Sequence, residues 1–84
     1  MRKGKILRKL LGGSRNVRFD DLVTVVEAFG FHLSRVNGSH HIFTHPRVTE
    51  LVNLQNKGGQ AKPYQVRQFL TLVEQQNLQF KEDS

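Results

Sequence analysis

Between Gly30 and Pro46 the apolar residues stop recurring every three or four positions and alternate with polar ones instead, and the pair Asn37-Gly38 divides that stretch in two. A change of period from 3.6 to 2 is a change from helix to strand. Asn-Gly between two alternating runs is a strong β-hairpin signal, because both residues tolerate the positive φ that tight hairpin loops demand. The centre of the chain is therefore committed to two antiparallel strands, Phe31-His-Leu-Ser-Arg-Val36 and His40-His-Ile-Phe-Thr-His45. Pro46 ends the second, since proline cannot donate to a ladder. A third short strand is expected at Leu51-Val-Asn-Leu54.

Helical patterns flank this core. Leu22, Val25, Val26 and Phe29 stand at i, i+3, i+4 and i+7, with Asp20 or Asp21 as the capping residue and Gly30 at the C-terminal cap. Pro63 suits the first position of a last helix, along which Val66, Phe69, Leu70 and Val73 repeat the pattern, and Lys57-Gly-Gly-Gln before it reads as a flexible loop. Helix, three consecutive strands and helix, joined by short connections, make an α+β sandwich: a three-stranded antiparallel sheet with both helices on one face and the other face open. Ahead of it, Ile6, Leu7, Leu10 and Leu11 mark an extra short helix ended by Gly12-Gly13, with a turn over Ser14–Asn16. The expected division is a basic N-terminal extension over residues 1–16 and the domain proper over 17–84.

The hairpin register follows from which aromatics share a face. A two-residue Asn37-Gly38 loop pairs Arg35 with His40 and turns Phe43 away from Phe31. A three-residue Val36-Asn37-Gly38 loop pairs Ser34 with His40 and gathers Phe31, Leu33 and Phe43 on the core face, and it is preferred because an exposed Phe costs more than an exposed Ile42.

Eighty-four residues make one lean domain, and with no cysteine neither a disulfide nor a thiolate zinc site supports it. The charged start is not followed by a signal-like apolar run, and no stretch is long enough to span a membrane, so a soluble cytoplasmic protein is the expectation. Of the net charge of +6, residues 1–18 supply seven bases and no acid, and residues 19–84 supply six bases against seven acids. Such a basic segment suits a polyanion, through counterion release, or is simply a solvated end.

The run Asn37-Gly38-Ser39-His40-His41-Ile42-Phe43-Thr44-His45-Pro46, preceded by Gly30-Phe31 and Arg35, resembles the HicA toxin family, in which a helix is followed by Gly-aromatic, Arg, Gly-Ser-His, an aromatic and His-Pro. The likeness continues through Lys62-Pro-Tyr-Gln-Val-Arg-Gln-Phe-Leu70 and covers roughly residues 18–78. It implies a double-stranded-RNA-binding-like fold, cleavage of messenger RNA, neutralisation by a HicB-type antitoxin, and His40 as the catalytic histidine. The chain departs from the pattern in carrying Leu54-Gln55-Asn56 where shorter members often have Pro-x-His, and in its basic extension.

The chemistry fits a histidine. A base that takes the proton of an RNA 2′-hydroxyl lets that oxygen attack the neighbouring phosphorus, with no cofactor or metal required. An unperturbed imidazole, with a pKa of about 6.5, has a proton-accepting form near neutral pH. Base catalysis contributes about 10²–10⁴-fold, so cations must also hold the phosphate, and Arg35, Lys57 and Lys62 are the candidates. Gly38 reads either as an ordinary turn residue or as one that lets backbone approach a substrate, and Ser39 as a phosphate contact or, preferably, a turn contact. Arg2, Lys3, Lys5, Arg8 and Lys9 offer a further nucleic-acid contact. His32, His41 and His45 read as ordinary strand residues. His40 and His41 face opposite ways on a strand, and His41 and His45 stand about 13 Å apart, so no metal site is expected. The competing readings are an RNA- or DNA-binding module of the same fold without catalysis, and a membrane-surface role for residues 1–11.

Overall fold

A computed structural model describes residues 2–13 and 15–81. Ser14, within the expected turn, residues 82–84 and the side chain of Arg2 lie outside the described residues. The elements are α1 (Arg2–Leu11), α2 (Phe19–Ala28), β1 (His32–Asn37), β2 (His40–His45), β3 (Val48–Gln55) and α3 (Pro63–Gln76). The sheet is an antiparallel meander in the order β1-β2-β3. Its helix-facing side carries Phe43, Val52 and Leu54, buried with Leu22, Val25 and Val26 of α2 and Val66 and Phe69 of α3. Its other side, with Arg35, His40 and Asn53 exposed and Ile42 half-buried, carries no helix among the described residues. This is the expected α+β sandwich with an additional N-terminal helix.

The hairpin reaches the expected packing by another route. The loop is Gly38-Ser39, so Asn37 pairs with His40, and not Ser34 as the three-residue loop requires. Positive φ at Gly38 (62°) with none at Ser39 is the pattern of a type II′ turn, which suits Gly-Ser better than the Asn-Gly loop, where both residues must be left-handed. Continued unbroken, this register would place Phe31 on the open face. A bulge at Ser34 shifts it by one residue, from Arg35 opposite Ile42 to Leu33 opposite Phe43. Phe31 then meets His45 (ring centroids 5.0 Å apart) and Phe69 (5.6 Å) inside the core. Leu33, expected in the core, is instead 47% exposed, on the edge strand β1.

Other junctions also differ from expectation. The N-cap of α2 is Arg18. Val17 and Arg18 are drawn into extended pairing, with Ala61 N–H donating to the Val17 carbonyl (2.9 Å) and Arg18 bridging Gln60, so the first free amide of the helix, Phe19 N–H, bonds the Gly59 carbonyl (2.9 Å). Asp20 and Asp21 fall in the first turn, where carboxylates favour the helix dipole. Residues 57–60 form a tight turn with reciprocal Lys57–Gln60 hydrogen bonds (3.0 Å each) and left-handed Gly58 and Gly59. The third strand is longer than the four residues expected.

Helix α1 is docked. Ile6 and Leu10 are buried in the common core, and Leu7 packs against it. Lys5, Arg8 and Lys9 occupy its exposed face. Beyond α3, left-handed Asn77 reverses the chain so that Leu78 and Phe80 close over the core, Phe80 against Phe29 (5.2 Å).

Candidate active site

Four segments meet at the end of the sheet where the β1–β2 turn lies. β3 runs past this turn so that Gln55 is opposite His40, and the chain then enters the 57–60 turn. Asn56 N–H donates to the Ser39 carbonyl (2.9 Å), and the Gln55 amide donates to Ser39 Oγ (3.4 Å). The Phe19–Gly59 bond ties in the start of α2, and the Phe19 ring lies 4.8 Å from that of His41. Gln65, in the first turns of α3, is buried and forms two bonds to the outer edge of β3: its Nε2 donates to Asn53 O (3.2 Å), and its Oε1 accepts from Gln55 N (2.9 Å).

His40 stands on the open face of this end. Its side chain is exposed, and Nδ1 lies 3.0 Å from Oδ1 of Asn53. Arg35, opposite Ile42, and Asn37, opposite His40, share the face by register. His40 and Arg35 thus share one face of the sheet, and the His40 side chain is exposed there. His41, half-buried on the helix side, bonds the Ser39 carbonyl through Nδ1 (3.4 Å), so the two adjacent histidines diverge as alternation requires.

The sequence-derived residues fall into two groups. Gly38, Ser39 and His40 form the turn, and Lys57, exposed, follows directly on Asn56, which is bonded to Ser39. A Cβ on Gly38 would touch nothing within 4 Å, so this glycine is required for its φ and not for space. Ser39 serves the turn. Lys62 is the N-cap residue of α3, and its ammonium lies 5.8 Å from the centre of the half-exposed Tyr64 ring. Asn53, Gln55 and Gln65 are additions: their link to His40 depends on β2–β3 register, which no local pattern reveals. Arg18, exposed beside Gln60 across from Lys57, adds a cation to this end.

The remaining motif residues are structural. His45 is buried, accepts the Arg47 N–H at Nδ1 (3.0 Å) and packs on Phe31. Gly30 has φ +96°, and a Cβ there would lie 2.9 Å from His45 Nε2, so the His45 ring occupies the space that a side chain at residue 30 would need.

The family model described as HicA toxin of bacterial toxin-antitoxin matches residues 19–75, from the first residue of α2 nearly to the end of α3. The chain belongs to the HicA toxin family. No curated protein and no solved structure gives a significant match. The HicA match covers the sheet, both flanking helices and the whole His40 end, while α1 precedes it. Membership makes the protein a toxin of a toxin-antitoxin system, in a family known for cleaving messenger RNA, and implies a cognate antitoxin partner. Among the described residues no helix is long and apolar enough to cross a membrane.

Proposed function

We propose that the protein is a metal-independent endoribonuclease toxin that cleaves messenger RNA, with His40 as its general acid/base, and that a HicB-type antitoxin neutralises it. The observation that carries this reading is the placement of His40: exposed, on a sheet face that carries no helix among the described residues, beside a hairpin tip held by Asn56 N–H on the Ser39 carbonyl. A histidine serving only the fold resembles His45 in this chain, buried and packed on aromatic rings.

In the proposed reaction His40 takes the proton of a 2′-hydroxyl, the oxygen attacks the adjacent phosphorus, and the bond to the 5′-oxygen breaks; that oxygen takes a proton from water and leaves as a 5′-hydroxyl, the other product is a 2′,3′-cyclic phosphate, and His40 returns its proton to solvent. Arg35, Lys57 and Lys62 stabilise the charge that grows on the phosphoryl oxygens. Gly38 and Ser39 shape the turn against which the strand lies. Residues 17–84 constitute the catalytic domain, and the exposed bases of residues 1–16 add sequence-independent contacts to the backbone of the RNA.

Substrate substitution tests this against a binding module of the same fold. Purified protein with an RNA oligomer should produce cyclic-phosphate ends, in EDTA as well as without it. A single 2′-deoxy nucleotide at the cleaved position should abolish the cut while binding persists. Binding without any cleavage of messenger RNA would leave only the module.

A further inference from the structure

We infer that Asn53 is a positioning residue that decides which nitrogen of His40 acts as the base. The inference rests on the ribonuclease reading above and adds a member to its site. A neutral imidazole carries one proton, on either nitrogen, and the partner of one ring nitrogen fixes the role of the other. Here the partner of Nδ1 is a carboxamide oxygen at 3.0 Å. Such an oxygen only accepts, so the shared proton belongs to Nδ1, which donates it, and Nε2 is left with its lone pair. Nε2 is the ring nitrogen that Asn53 does not engage, and no protein hydrogen bond engages it among the described contacts. That is the arrangement a general base requires.

The support behind Asn53 is built for constancy. An outer strand would normally leave its peptide groups to water. At this position Gln65 instead supplies a side-chain amide that mimics the next strand, accepting from Gln55 N–H and donating to the Asn53 carbonyl. Gln65 is one of two buried polar residues among those described, and this double bond is what its side chain does. The bonds from Gln55 and Asn56 to Ser39 then fix the hairpin tip against the same strand. The position of His40 relative to Asn53 is thereby set by α3 through β3, and does not depend on the two-residue turn alone.

The test separates tautomer from activity. In nitrogen-15 NMR of the full chain, at a pH where the ring is neutral, His40 should show a protonated Nδ1 and a bare Nε2. Asn53→Ala should convert this to a mixture of tautomers. It should also lower kcat about 10–100-fold with a smaller change in KM, by analogy with the loss seen when metal-bound histidines lose an orienting partner. Asn53→Asp keeps the acceptor, so Nδ1 should stay protonated and most activity return, with the rising limb of the pH–rate profile moved to higher pH because a carboxylate favours the imidazolium. Asn53 is exposed and its backbone bonds are independent of its side chain, so the variants should melt like the parent. A proton on Nε2 in the parent chain, or unchanged cleavage by Asn53→Ala where His40→Ala is inactive, would overturn the inference and leave the ribonuclease reading standing. Normal cleavage by His40→Ala would overturn both.

Discussion

Gly30 and His45 are 15 positions apart in the sequence, yet the cost of changing Gly30 should depend on His45. Replacing Gly30 with Ala introduces two penalties. The first is conformational: at φ +96° an L-residue is in a region that costs about 1–2 kcal/mol. The second is steric. The new methyl would lie 2.9 Å from His45 Nε2 and 3.1 Å from Cδ2, and the ring cannot withdraw freely, being buried against Phe31 and bonded to Arg47 N–H. Overpacking of this kind costs about 1–3 kcal/mol. Gly30→Ala should therefore destabilise by roughly 2–5 kcal/mol, a fall in Tm on the order of 10–40 °C for a domain of this size. His45→Ala should cost about 2–5 kcal/mol, as other large-to-alanine core changes do. In the double variant the steric penalty vanishes and the conformational one remains, so the pair should be less destabilised than the sum of the singles by about 1–3 kcal/mol. Urea titration of the four proteins measures this directly. Additivity within about 0.5 kcal/mol would show that the two residues do not touch in solution and refute the reasoning.

Two further outcomes are expected. Leu10→Ala, at a buried position of α1, should cost about 2–5 kcal/mol, and deleting residues 1–12 should lower Tm markedly, whereas a purely electrostatic arm would leave thermal melting unchanged. Lys57→Ala and Arg35→Ala should weaken RNA binding about equally across sequences and each reduce the slope of log K against log salt by about 0.7; filter binding at several salt concentrations reads this, and an unchanged slope would remove that residue from the phosphate contacts.

The parts of this fold legible in the sequence are those set by period and punctuation. The alternation around Phe31 and Phe43 requires both rings on one face, and the structure has them there, but a longer loop and a bulge satisfy that parity equally well. Nothing in Ser34 announces the bulge. The patterns along α2 and α3 name their buried faces because each helix packs one stripe on the sheet. The charge of residues 1–12 favours an electrostatic arm whose loss leaves the fold intact, and the docked α1 reverses that expectation, because the apolar stripe of Ile6 and Leu10 does not say by itself whether anything covers it. Leu78 and Phe80 carry no period after the helix ends, so their return to the core leaves no local signal. At the site, His40, Gly38 and Ser39 are adjacent in the chain and form a readable motif. Asn53 and Gln65 join them only through the pairing of β2 with β3 and a side chain that imitates a strand, both of which are tertiary facts.

In the proposed reaction His40 performs chemistry and does not merely support the hairpin. His40→Ala, purified and compared with the parent chain under single-turnover conditions, measures this most directly, with His41→Ala as the control on the other face of the same strand. His40 is exposed, so its loss should leave the melting curve and antitoxin binding intact. RNA cleavage should fall by about 10²–10⁴-fold and growth arrest on expression should disappear, while His41→Ala continues to cut. Cleavage by His40→Ala at the parent rate, or a loss of cleavage that only follows a loss of folding, would contradict that role for His40.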